Sequence, residues 1–159
     1  MPLPIRWPKF KPSSDSQTMD ADLQSLYRET LIEQSRNPEN NYALESADRQ
    51  VELKNSLCGD VVTIFLSLDG DRIEKASFQA QCCSICKASA SMLTTRIAGA
   101  DQHRATSLAE ELIAFLNDPH SDRFGRNDPL QALSGVKAFA SRIRCATLPW
   151  EALQRALNA

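Results

Sequence analysis

Leu23, Leu26, Tyr27 and Leu31 recur at helical spacing and predict a first helix over about 22–35, with a single apolar stripe. Asn37-Pro38 ends it, because the residue before a proline is pushed out of the helical region. A polar loop continues to about Asp48. The period then shortens to two. Val51 and Leu53 alternate with charged neighbours, residues 61–68 are rich in β-branched and apolar side chains, and Ala76, Phe78 and Ala80 share one face. Asp69-Gly70-Asp71 supplies turn chemistry between the second and third runs. This part of the chain predicts a three-stranded antiparallel meander with one buried face.

Downstream the pattern is helical again. Residues 87–98 suit a helix that stops at Gly99, a C-cap position. Ser107-Leu108-Ala109-Glu110 fits a capping box ahead of Leu112, Ile113 and Leu116. Asp128-Pro129 starts a short helix. Pro149 is expected in the first turn of a last one carrying Trp150, Leu153 and Leu157. The predicted class is α+β, with helices packed on one face of a three-stranded antiparallel sheet. Residues 1–18 hold four prolines and few apolar side chains, so they predict a disordered tail before a domain over 19–159.

Composition narrows the function. With 159 residues, 42% of them hydrophobic, the chain suits one domain with its own core and needs no metal merely to fold. Eighteen basic side chains against twenty acidic ones leave a net charge of −2, which argues against nucleic acid as a partner. No apolar run approaches the roughly 20 residues of a membrane span. Five cysteines, an odd number, without an export signal point to the cytoplasm and to free thiols serving as metal ligands or reactive groups.

The meander brings distant cysteines together. Cys58-Gly59-Asp60 lies between the first two strands. The third strand runs parallel to the first, so Cys82 and Cys83 at its end reach the same edge. Cys83 then sits at a strand-to-helix junction, where free backbone N–H groups favour thiolate, and Cys145 is expected at the equivalent place before the last helix. Three thiolates with the Asp60 carboxylate complete a tetrahedral set that zinc accepts, and thiolates also ligate iron–sulfur clusters. Spacing alone matches no short zinc-finger pattern.

The strings LYRETLIEQSRNPEN, CGD, CSI followed by ASASMLT, and RIRCATLPWEAL resemble the SufU-type branch of the IscU-like iron–sulfur cluster assembly proteins, from about Asp22 to the C-terminus. The resemblance implies an α+β fold with a three-stranded sheet. It implies Cys58, Asp60, Cys83 and Cys145 as ligands of zinc, or of iron or a transient cluster held by the three cysteines. Partners implied are a pyridoxal-phosphate-dependent cysteine desulfurase and downstream iron–sulfur assembly proteins. The long stretch between Cys83 and Cys145 matches an insertion in the SufU type, and Arg144 stands where the scaffold branch carries histidine. Both point to a zinc-bound sulfurtransferase. The rival readings are a scaffold for cluster assembly and a zinc-stabilised interaction module without sulfur chemistry. Cys58 is expected to take the persulfide: it lies in a loop beside Gly59, and the family resemblance assigns that role to the cysteine of CGD once the partner displaces it from zinc.

Cys82 and Cys86 depart from the family, which carries glycine and serine there. Cys83-Ser84-Ile85-Cys86 is a C-x-x-C at a helix start but lacks the βαβ context of a thioredoxin-like site. The two extra thiols read as spare groups able to enter the coordination shell. His103 and His120 read as solvated surface residues, and Asp69 with Asp71 as turn chemistry. Arg142 and Arg144 read either as surface charge or as cations offsetting the clustered thiolates. No phosphate-binding glycine loop or Gly-x-Ser-x-Gly is present.

Overall fold

The sheet is organised by its middle strand. In the computed structural model, which describes residues 16–158, β1 (Arg49–Asn55), β2 (Asp60–Asp69) and β3 (Arg72–Gln81) pair in that order, each antiparallel to its neighbour. Val62, Ile64 and Leu66 of β2 are fully buried, and at about 1.5–3 kcal/mol for each apolar side chain they fix the register. A one-residue slip would put all three on the wrong face. Four helices complete the domain: α1 (Ser16–Arg36), α2 (Ser84–Ile97), α3 (Gln102–Asn117) and α4 (Ala140–Leu157), with a 3-10 helix over Pro129–Val136. Helix α4 packs on β1 and β2, and α2 packs on β3 and α4, so the predicted α+β class and meander stand.

Several helix starts differ from the sequence reading. Helix α1 reaches back to Ser16 rather than Asp22, because residues 17–21 contain no proline or glycine to stop it. The rest of the predicted tail lies outside the described residues. Helix α2 begins at Ser84, with Cys83 as its N-cap, three residues earlier than predicted. Helix α3 begins at Gln102 and not after Ser107. Its N-cap is Asp101, whose carboxylate accepts the Arg104 N–H at 2.7 Å. Ala105 is the only apolar side chain in that opening stretch, so the stripe was too thin to read. His103 is consequently helical, though exposed as expected, and His120 is exposed in a turn.

The last helix carries the largest correction. It starts at Ala140, and Pro149 lies inside it instead of in its first turn. A mid-helix proline has no N–H to close onto the carbonyl four residues back, here that of Cys145. Cys145 is therefore a residue of the helix body.

Two buried hydrogen bonds lock α4 to α2. Trp150 Nε1 donates to Ser89 Oγ at 2.9 Å, and Ser89 Oγ donates to the Ala146 carbonyl at 2.6 Å. Both side chains are fully buried. Trp150→Phe removes the indole donor and some volume, and should destabilise the protein by about 1–3 kcal/mol in urea unfolding. Because the bonds anchor the segment next to Cys145, the variant should also show a changed rate of thiol labelling there.

Candidate metal centre

The link between β1 and β2 builds the exposed half of the centre. The buried Asn55 side chain accepts the Leu57 N–H at 3.1 Å, and its carbonyl accepts the Gly59 N–H at 2.8 Å. Gly59 stands at φ +75°, the left-handed region, while nothing lies within 4 Å of a Cβ built there. The backbone, not lack of space, selects glycine. The turn leaves Leu57 89% exposed and Cys58 exposed, then delivers Asp60 into the sheet at 6% exposure. Asn55 is a contributor that sequence reading missed; an asparagine ending a strand before a glycine turn was the available signal.

The buried half comes from the other two segments. Asp60 pairs with Asn55 across β1, and Val61 pairs with Gln81, so the chain leaving β3 passes beside Asp60. There the Cys83 N–H donates to Asp60 Oδ1 at 3.2 Å. The ligand atoms of Cys58, Asp60 and Cys145 all lie within 4.8 Å of one another. Cys83 adjoins this trio through its backbone N–H on Asp60, with its thiol near that of Cys145. Of the four residues predicted from the sequence, the structure brings Cys58, Asp60 and Cys145 to mutual ligand spacing, and Cys83 stands beside them outside that group of three. Arg142 and Arg144 are exposed, and among the described residues no ion pair joins either to Asp60.

Cys145 behaves differently from the sequence expectation. It was placed at a helix N-terminus that would favour thiolate. Instead it is 2% exposed inside α4, donating to the Ser141 carbonyl at 3.7 Å. Burial first, then the hydrogen bond with Cys83, pushes its thiol up from the ordinary 9.0. A metal would have to displace that proton on binding.

The donor set fits a thiophilic cation. Asp60 Oδ2 is buried with no hydrogen-bond partner, an arrangement that costs free energy unless a positive ligand faces it. Thiols and one carboxylate at mutual ligand spacing suit zinc, with iron also accepted by such donors.

Two outcomes follow from this electrostatics. Asp60→Asn can keep an acceptor for the Cys83 N–H while deleting the buried charge. The metal-free variant should melt higher than the metal-free parent by the equivalent of about 1 kcal/mol, and the metal-loaded variant lower than the loaded parent. Thermal melts with and without chelator separate the two. The second concerns pH. In the metal-free protein Cys145 holds its proton more tightly folded than unfolded. That stability is fully present below the ordinary value and is lost as pH rises toward the folded one. The apo melting point should therefore fall with increasing pH above about 9, a fall that Cys145→Ala should reduce.

The fold and the centre define an α+β domain with a thiol and carboxylate cluster at one end of a three-stranded meander. The chain belongs to the NifU-like N-terminal domain family, whose model matches residues 26–159. It is 36% identical over 138 residues to the zinc-dependent sulfurtransferase SufU of Bacillus subtilis (strain 168), covering 87% of this chain and 93% of that protein. It is 33% identical over 139 residues to the iron–sulfur cluster assembly scaffold protein IscU of Streptococcus pyogenes serotype M1, covering 86% and 85%. A crystal structure of a candidate iron–sulfur cluster assembly scaffold protein for the SUF system from Fervidobacterium islandicum AW-1 superposes with a TM-score of 0.70. It is 27% identical, over 81% of this chain and 94% of that one.

Proposed function

We propose that this protein is a zinc-bound sulfur acceptor of iron–sulfur cluster assembly, taking persulfide sulfur from a cysteine desulfurase on Cys58. The observation that carries the reading is the split character of the centre. Cys58 is exposed on a glycine turn, while its neighbours Asp60 and Cys145 are buried with ligand atoms within 4.8 Å. Cys58, Asp60, Cys83 and Cys145 would hold the metal. When bound, zinc supplies a fixed positive charge that keeps thiols deprotonated and restrains their nucleophilicity.

The chain's own residues divide the remaining work. Cys58 is the group that can reach a partner's active site, with exposed Leu57 beside it as an apolar contact. Asp60 is anchored by the Cys83 N–H and holds the turn against the sheet. Cys83 and Cys145 stay on helices α2 and α4. Among the described residues no helix is long and apolar enough to cross a membrane, and net charge does not favour nucleic acid. A reducing, cytoplasmic setting matches free thiols. Downstream iron–sulfur assembly proteins would receive the sulfur.

Incubation with a cysteine desulfurase and cysteine, followed by alkylation and peptide mass spectrometry, should find the added sulfur on Cys58. Cys58→Ala should abolish acceptance. Sulfur on Cys83 or Cys145, with Cys58→Ala still active, overturns the assignment. The scaffold reading draws on the IscU-named relatives. Stable iron and sulfide bound after anaerobic reconstitution, without desulfurase stimulation, would favour it.

A further inference from the structure

Two cysteines remain outside the centre, and they are paired. The Cys82 and Cys86 thiols are neighbours, four residues apart across the start of α2. Cys82 is half-buried where the chain leaves β3, and Cys86 is fully buried in the first turn of α2. The β2–β3 register, with Val61 opposite Gln81, places Cys82 across from Asp60 when continued by one residue. Residues opposite each other in an antiparallel pair share a face at roughly 4.5–5.5 Å. Asp60 is two residues from Cys58, at the end of the same turn. The dithiol thus lies one strand pairing from Asp60, itself two residues from the exposed cysteine, with its outer thiol partly exposed and its inner thiol shielded.

We propose that Cys82 and Cys86 form a resolving dithiol that reduces the sulfane sulfur carried by Cys58 and releases it as sulfide. This rests on the reading that Cys58 takes the persulfide. In the first step the Cys82 sulfur attacks the terminal sulfur of Cys58–S–SH. The sulfur–sulfur bond to Cys58 breaks, the Cys82 proton passes to the Cys58 sulfur, and Cys82 becomes the persulfide. In the second step the Cys86 sulfur attacks the Cys82 sulfur bearing it. A Cys82–Cys86 disulfide forms, and the terminal sulfur leaves as hydrogen sulfide with the Cys86 proton.

The electrons balance within the chain. The sulfane sulfur gains two electrons, and the two thiols lose two on forming the disulfide. An external dithiol reductant, a small molecule or a protein, resets the pair for another round. The order follows from access: Cys82 is partly exposed and Cys86 is not, so Cys86 can meet only sulfur already on Cys82. A thiol pair of this kind spares the carrier from waiting for a reductant at the moment sulfide is needed.

The test uses the full, zinc-loaded chain, stripped of other thiols and loaded by a cysteine desulfurase with limiting radiolabelled cysteine. After desalting, sulfide is trapped with monobromobimane, and the tryptic peptide 76–87 is sequenced by mass spectrometry. The expected result is sulfide released in step with a Cys82–Cys86 disulfide. Cys86→Ala should hold the label as persulfide on Cys82, Cys82→Gly should hold it on Cys58, and both should lose sulfide release. Dithiothreitol should restore release in each. The disulfide readout on the unaltered chain needs no variant to fold, and circular dichroism checks those that are used. Label that stays on Cys58 with the dithiol reduced overturns the proposal and leaves the acceptor reading standing. Loss of zinc from either variant would make that cysteine a ligand and also overturn it. No label on Cys58 even in Cys82→Gly overturns both.

Discussion

A carboxylate oxygen without a partner, buried at the end of the central strand, sets the terms for the rest of the centre. Asp60 is held at one oxygen by the Cys83 N–H and left bare at the other. Such a group is unfavourable in a metal-free core and favourable once a cation faces it. Its position is no local accident. It depends on β2 being pinned by Val62, Ile64 and Leu66, and on the antiparallel pairing that carries the ends of β1 and β3 to the same edge. The core thus bears the cost of a binding site that a less well-packed meander would not tolerate.

The thiols around Asp60 differ in mobility and access more than in chemistry. Cys58 rides on a left-handed glycine turn in water, Cys83 caps a helix, and Cys145 is set in a helix body beneath a proline. This gradient from exposed to buried suits a carrier. In the proposed reading, one sulfur would leave the site and meet a partner while the others keep their places. The Trp150–Ser89–Ala146 chain of hydrogen bonds holds the Cys83 and Cys145 segments near each other by joining α4 to α2. Stability and chemistry therefore share one contact, between the helix that presents Cys83 and the helix that presents Cys145.

Cys82 and Cys86 extend the same gradient by one step. In most chains a buried free cysteine is a small hydrophobe, and Cys86 alone would be read that way. Its closeness to Cys82, and the place of Cys82 opposite Asp60, set the pair beside the centre. Both cysteines fall next to the centre, where thiol content bears on what the site can do with sulfur.

The sequence by itself determined the meander, the convergence of Cys58, Asp60 and Cys83 at one sheet edge, and the family. Period-two alternation and turn residues are local signals, and strand polarity follows from counting the turns. Helix starts were less legible. Asp101 and Ala140 open helices whose first turns carry little apolar pattern, and Pro149 looked like a beginning because proline is usually tolerated only there. Only the tertiary structure decided that Cys145 is buried in α4, with its thiol pushed toward the protonated form, and that Asp60 keeps an unpartnered oxygen. Burial and hydrogen-bond satisfaction are properties of what packs around a residue, supplied here by segments up to 87 positions apart, from Cys145 back to Cys58. No local window of sequence contains them.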